Sequence, residues 1–265
     1  MKRKITLLTL LCCAVLALHA QQDAGRLSDA LSIVRASRDR IKSDTVSTRS
    51  RMLLADRNGS VTERLIDQYS KDGPRGHRTV IVFQEPASVR GVRFLTMENP
   101  GNPEDRWIYL PSLGGEPSRI AASDGSKSFQ GTDFSNDDIS SSNRRADLDT
   151  HTLLREENLN NRPCYVIQSV PKDSSYQYSK MIQWIDKENL VTMKVELYNR
   201  SGAQVKLLEI LKLEEVQGRL TIMSTKMSTL ADRTSTTINT DIIKYDDPIP
   251  EAVFTREFLR TGRAR

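Results

Sequence analysis

Residues Arg106–Ile139, RWIYLPSLGGEPSRIAASDGSKSFQGTDFSNDDI, decide the fold of this chain. Trp107, Ile108, Tyr109 and Leu110 form an aromatic and aliphatic run of strand type. Pro111 and the Gly114–Gly115 pair end it, because proline lacks a ladder donor and glycine accepts the backbone angles of a turn. Ser118–Ala121 is a short return strand. The Gly131-Thr132-Asp133-Phe134-Ser135 turn follows, and Ser135 with Asp138 three residues later has the spacing of a helix-capping turn. Large apolar groups fall on both faces of the first strand, Trp107 and Tyr109 on one and Ile108 and Leu110 on the other, so neither face of the sheet is meant for water alone.

Outward from this stretch the hydrophobic period stays close to two. Strands are expected at Ser47–Arg57, Val61–Tyr69, His77–Gln84, Gly91–Glu98, Arg106–Leu110 and Ser118–Ala121. The second half adds Thr152–Asn158, Cys164–Val170, Lys180–Asp186, Leu190–Tyr198, Val205–Glu215, Leu220–Thr229 and Ser235–Tyr245. Asn58-Gly59 is a strong hairpin signal, and most other connections are short and carry Gly, Asn, Asp or Pro. Short connections make neighbours antiparallel, since parallel strands need long crossovers. The expected class is all-β with minor helix, built on a large curved antiparallel sheet. Helical spacing appears at Ala24–Ile41, where Leu27, Leu31, Val34 and Ile41, with Ala30 between, form an apolar stripe opposite Arg35, Arg38, Asp39 and Arg40. It recurs at Glu251–Leu259, with Val253, Phe254 and Phe258 as the apolar face. Asp133–Asp149 reads as a polar loop with one helical turn.

Apolar residues on both faces also mark Gly91–Glu98, where Val92 and Phe94 oppose Leu95 and Met97, and Val205–Glu215, where Val205, Leu207, Leu211 and Leu213 oppose Leu208 and Ile210. The second apolar face needs cover, and one long and one short amphipathic helix cover only part of so large a sheet. Periodicity leaves two arrangements open: a dry core, or a curved sheet closing over the N-terminal helix with a hydrophobic cavity between.

The W-x-Y-x-P strand at Trp107–Pro111 and the Gly-Thr-Asp-Phe-Ser-x-Asp-Asp turn at Gly131–Asp138 resemble the bacterial outer-membrane lipoprotein-sorting protein family, relatives of the periplasmic carriers LolA and LolB. The likeness extends more diffusely over about Val46–Tyr245. It implies an unclosed β-barrel with helices plugging a cavity for acyl chains. It also implies lipid or lipoprotein cargo passed from an inner-membrane transporter toward an outer-membrane acceptor, and no cofactor. On this reading Val92, Phe94, Trp107 and Tyr109 line the cavity, with the face parity open to a one-residue register slip, and Leu27, Leu31 and Val34 belong to a lid helix. No position here matches the carriers' cargo-handling arginine, so free lipid or another apolar ligand is as open as lipoprotein.

The first twenty residues read as a signal peptide. Lys2, Arg3 and Lys4 precede a 14-residue apolar core, Ile5–Leu18, and Ala20 offers a cleavage site before Gln21. Residues 21–265 then form a single domain destined for the periplasm. Cleavage leaves 245 of the 265 residues and lowers the formal charge from +5 to +2, because three basic and no acidic residues are lost. The remaining charges alternate in sign along the chain, which is not the footprint of a nucleic-acid binder. Cys12 and Cys13 leave with the signal peptide, so Cys164 stands alone as a small buried residue. His77 and His151 have no metal-ligand spacing around them, and the carboxylates of Asp133, Asp137 and Asp138 suit turn and capping chemistry better than calcium. No nucleophile elbow is present, although Asp149 beside His151 keeps a lipid-acting hydrolase open as an alternative, and an outer-membrane β-barrel is the other. The expected activity is binding, without catalytic residues.

Overall fold

The computed structural model describes residues 29–74, 76–99, 104–140 and 144–264. The expected signal peptide, Cys12, Cys13 and Leu27 lie outside the described residues. Thirteen strands form one antiparallel sheet: β1 Thr45–Ala55, β2 Val61–Lys71, β3 Arg78–Glu85, β4 Arg93–Met97, β5 Asp105–Tyr109, β6 Ser118–Arg119, β7 Asp149–Leu159, β8 Arg162–Pro171, β9 Lys180–Asp186, β10 Thr192–Tyr198, β11 Gln204–Val216, β12 Arg219–Thr229 and β13 Thr234–Tyr245. Each expected strand is present, with ends moved by a few residues. The strand order is β6-β5-β4-β3-β2-β1-β13-β12-β11-β10-β9-β8-β7. Two meanders are thus joined where β1 pairs with β13 along Val46↔Tyr245 to Ala55↔Ser235. β6 and β7 are left as the two edges of an unclosed barrel, and residues 120–140 and 144–148, the crossing segment, lie between them in the chain.

Two apolar clusters meet on the concave side. Met52, Ile66, Ile81, Phe83, Val92 and Phe94 of the first meander and its β3–β4 turn surround Phe129. Met181, Leu197 and Met227 of the second surround Phe134. Ile139 and Ile238 touch both clusters. The crossing segment is therefore an apolar plug, its Phe129 ring edge-on to Phe94 with centroids 5.0 Å apart. Helix α1, Ala30–Arg38, fills the next part of the concavity, burying Ala30, Ile33, Val34 and Ser37 against Tyr165, Ile167 and Ile185 of β8 and β9.

The helix differs from the expectation in two respects. Asp29 caps it, accepting the Ser32 N–H at 2.9 Å, and it ends at Arg38 rather than Ile41; residues 24–28 of the expected span lie outside the described residues. Its buried stripe is 30/33/34/37, which puts Ile33 inside and Leu31 on the shoulder. Fully burying Ile33 and Val34 contributes about 1.5–3 kcal/mol each.

Strand β11 corrects the parity reading of Val205–Glu215. Bulges fall opposite Leu197/Tyr198 and around Ile210–Lys212. Each bulge inserts an unpaired residue and reverses the alternation. Val205 and Leu208 consequently both pack on the concave cluster, while Leu211 is exposed.

The convex face of β3–β5 is covered by the C-terminal chain, where the expected single helix is two pieces. A 3-10 turn, Glu251–Phe254, is followed by α3, Arg256–Thr261, because extended Thr255 caps the second piece by accepting the Phe258 N–H at 3.1 Å. Val253, Phe254, Phe258 and Leu259 pack on Val80, Val82 and Leu95. The remaining short helix, α2, Asn136–Ser140, lies in the crossing segment. No helix among the described residues is long and apolar enough to cross a membrane.

Candidate functional site

The opening between β6 and β7 leads into a cleft of about 960 Å³, toward the upper end of the range typical of ligand sites. One wall comes from β3–β5 and carries Thr79, Thr96, Glu98, Glu104 and Arg106. The other comes from the 144–148 chain and the β8–β9 turn and carries Arg144, Arg145, Leu148 and Tyr176. Asp137 of α2 borders it, and Ile120, Ala121 and Ala122 give it an apolar strip. A second, smaller cleft of about 450 Å³ lies at the hairpin ends of β1–β2 and β12–β13, lined mainly by hydroxyl and carboxylate groups. The crossing segment separates the two and contributes to both.

Local sequence explains how the charged groups reach the seam. On β5, Arg106 shares its strand face with Ile108, which lies opposite Phe94 on β4, so the guanidinium is delivered to the concave side where the apolar plug ends. The Arg106 Nη1 donates to Asp137 Oδ1 at 2.6 Å. Gly125 permits this approach, since any Cβ there would collide with the Asp137 carboxylate. Asp137 is held because α2 has a reciprocal cap: the Ser135 N–H donates to Asp138 Oδ2 at 2.8 Å and the Asp138 N–H to Ser135 Oγ at 3.0 Å. Asp138 also accepts from Tyr178 Oη at 2.9 Å and Lys206 Nζ at 2.8 Å, and Asp133 accepts from Thr236 Oγ1 at 2.8 Å. These bonds pin the acidic turn to β11, β13 and the residues before β9.

On the opposite wall Arg144 donates to Asp149 at 2.7 Å and lies over the Tyr176 ring at 4.1 Å from its centroid. The Asp149 side chain is fully buried. Burial pushes the Tyr176 phenol above its ordinary range despite the nearby arginine. Glu104 lies 3.8 Å from Arg106, and burial, offset in part by that arginine, raises its carboxyl to about 7. His151 is engaged at both ring nitrogens, Nδ1 with Ser169 Oγ at 2.8 Å and Nε2 with the Ala146 carbonyl at 2.7 Å. A carbonyl only accepts, so Nε2 carries the proton and Nδ1 accepts from Ser169. Asp149 meanwhile belongs to Arg144, so the two residues suggested for a hydrolase serve separate bonds.

The expected cavity residues fall on two faces of the sheet. Val92 and Phe94 are buried on the concave side under Phe129. Trp107 is paired with Leu95, and both Trp107 and Tyr109 pack beneath the C-terminal chain on the convex side; the Arg256 guanidinium lies over the Trp107 ring. The register decides this, because Phe94 opposes Ile108 rather than Trp107. Neither pair is on the wall of either cleft. Of the lid stripe, Val34 is buried on the concave side and Leu31 packs at its margin. The polar groups of the cleft carry no periodic signal. Their trace in sequence is an arginine on an otherwise apolar strand face and the charged run Arg144–Asp149.

A family model described as that of an uncharacterized protein matches residues 75–261, most of the chain. The chain belongs to the DUF1329-like family. A DUF1329 family protein from Desulfovibrio piger is 27% identical with a TM-score of 0.81, over 86% of this chain and 97% of that one. A domain from Vibrio parahaemolyticus, described as an outer-membrane lipoprotein-sorting protein domain, is 24% identical with a TM-score of 0.81, over 87% and 98%. A LolA superfamily protein from Nitrosomonas europaea is 22% identical with a TM-score of 0.70, over 88% and 100%. Among curated proteins nothing matches the chain. This DUF1329-like protein therefore shares the LolA-type fold that its strand and turn motifs pointed to.

Proposed function

We propose that the protein is a periplasmic carrier that holds an amphipathic lipid, free or as the acyl chains of a lipoprotein, on the concave side of its open barrel. One observation carries the reading: the barrel is left open between β6 and β7, and a cleft of about 960 Å³ enters there. The shared fold with a lipoprotein-sorting domain and a LolA superfamily protein supports it. The work is binding rather than bond-making. An acyl chain leaving water gains roughly 0.8 kcal/mol per buried methylene, enough for a chain of ordinary length to offset its own ordering. The strip Ile120–Ala122 with Leu148 and Tyr176 is its first contact, and Val92 and Phe94 form the floor it reaches when Phe129 is displaced. Helix α1, with Leu31 and Val34, is the lid. Donor and acceptor are then an inner-membrane transporter and an outer-membrane site.

The test is native mass spectrometry of the mature protein isolated from its own cell envelope, followed by lipid extraction. The expected result is a discrete adduct with the mass of one lipid, lost on extraction. A homogeneous lipid-free mass, together with failure to bind any added lipid, overturns the reading.

A further inference from the structure

The carrier reading leaves the charged lining of the seam cleft without a task, and an apolar cargo site has no use for it. Arg106 has five N–H donors, yet its hydrogen bond among the described residues goes to one acceptor, Asp137. Glu104 stands beyond hydrogen-bond distance at 3.8 Å, and Arg106 Nε is buried without a partner. Arg144 faces it from the other wall, bound to Asp149 along one edge and stacked on Tyr176. Behind it, Arg38 of α1 is partly buried near Asp149, with Nη1 also unpartnered. The Arg106 and Arg144 side chains are 15% and 14% exposed. They are thus largely desolvated, where charge-assisted bonds are strongest. Carboxylates also line the cleft, yet Arg106 Nε and Arg38 Nη1 are left without a partner among the described residues, and an incoming oxyanion supplies one.

We propose that Arg106 and Arg144 clamp the oxyanion of an amphiphile, a carboxylate or a phosphate, across the open seam. The proposal rests on the carrier reading and names the class of its cargo: lipids whose polar end carries acceptor oxygens and negative charge. Apolar contact with Ile120 and Leu148 sits beside the clamp, as an acyl chain leaving such a headgroup requires.

Binding to the full mature chain is measured with a long-chain fatty acid, its methyl ester, a lysophosphatidic acid and inorganic phosphate. The acid and the lysophosphatidic acid are expected to bind about ten- to a hundred-fold tighter than the ester, the range for a hydrogen bond to a charged group. Arg106→Gln and Arg144→Gln should remove that preference, bringing the acid down to the level of the ester. Arg162→Gln, at a charged pair outside the cleft, controls for general destabilisation and should keep it. Equal binding of acid and ester overturns the clamp and leaves the carrier reading standing. Binding of none of the three amphiphiles overturns both. Binding of inorganic phosphate without any amphiphile also overturns the proposal, because the site then serves a free ion. If Arg106→Gln fails to fold, Arg144→Gln and the acid-to-ester ratio of the wild type still decide.

Discussion

Glu104 is the residue whose protonation the fold shifts into the neutral range. Burial holds its carboxyl near 7 against an ordinary 4.5. Between those values the folded chain keeps a proton that the unfolded chain has released, so stability falls as pH rises through this window. Glu104→Gln should therefore match the wild type in thermal midpoint below pH 4.5 and exceed it increasingly up to about 7; a pH-independent difference would contradict the account. Asp138 has the opposite role, as a buried anchor for Ser135, Tyr178 and Lys206. Asp138→Ala should cost about 3–5 kcal/mol in urea unfolding, because it strands the Lys206 charge; a loss below 1 kcal/mol would show the turn to be held by other bonds. The Ser135–Asp138 cap was legible because its spacing is local. Glu104, Arg106 and Arg144 were not, since they come together only when the sheet curls.

At the scale of elements, alternation and turn residues specified the strands well, and failures mark places where geometry departs from period two. The β11 bulges moved Val205 and Leu211, and Thr255 divided the C-terminal helix. The plug shows what periodicity cannot supply. Phe129 stands in a polar, irregular stretch, yet it is 1% exposed among Phe83 and Phe94. Phe129→Ala should cost about 3–5 kcal/mol and at the same time raise the uptake of a fluorescent fatty acid by opening the concave floor. Unchanged or lower uptake would show that the plug does not compete with cargo. Helix α1 is short and meets the barrel through a small cluster, so its amides should exchange faster than those of the central β1, β2 and β13 ladders. Finding α1 the best-protected element would exclude it as a lid.

For the whole molecule, the joining of two meanders through β1 and β13 is the step with no local signature, since Val46 meets Tyr245 across most of the chain. The residues alone indicated a curved antiparallel sheet with two apolar faces; the unclosed barrel followed from the family likeness. Joining the meanders there leaves β6 and β7 as the sheet edges, and the proposed entry of cargo by that seam rests on it. A fatty acid with a photoreactive group near its chain end tests that claim most directly, by mass-spectrometric location of the labelled residues after illumination. The account predicts saturable labelling at Ile120–Ala122, Leu148 and Tyr176, competed away by unlabelled acid. Labelling confined to the convex face around Trp107 and α3, or labelling that never saturates, would contradict it.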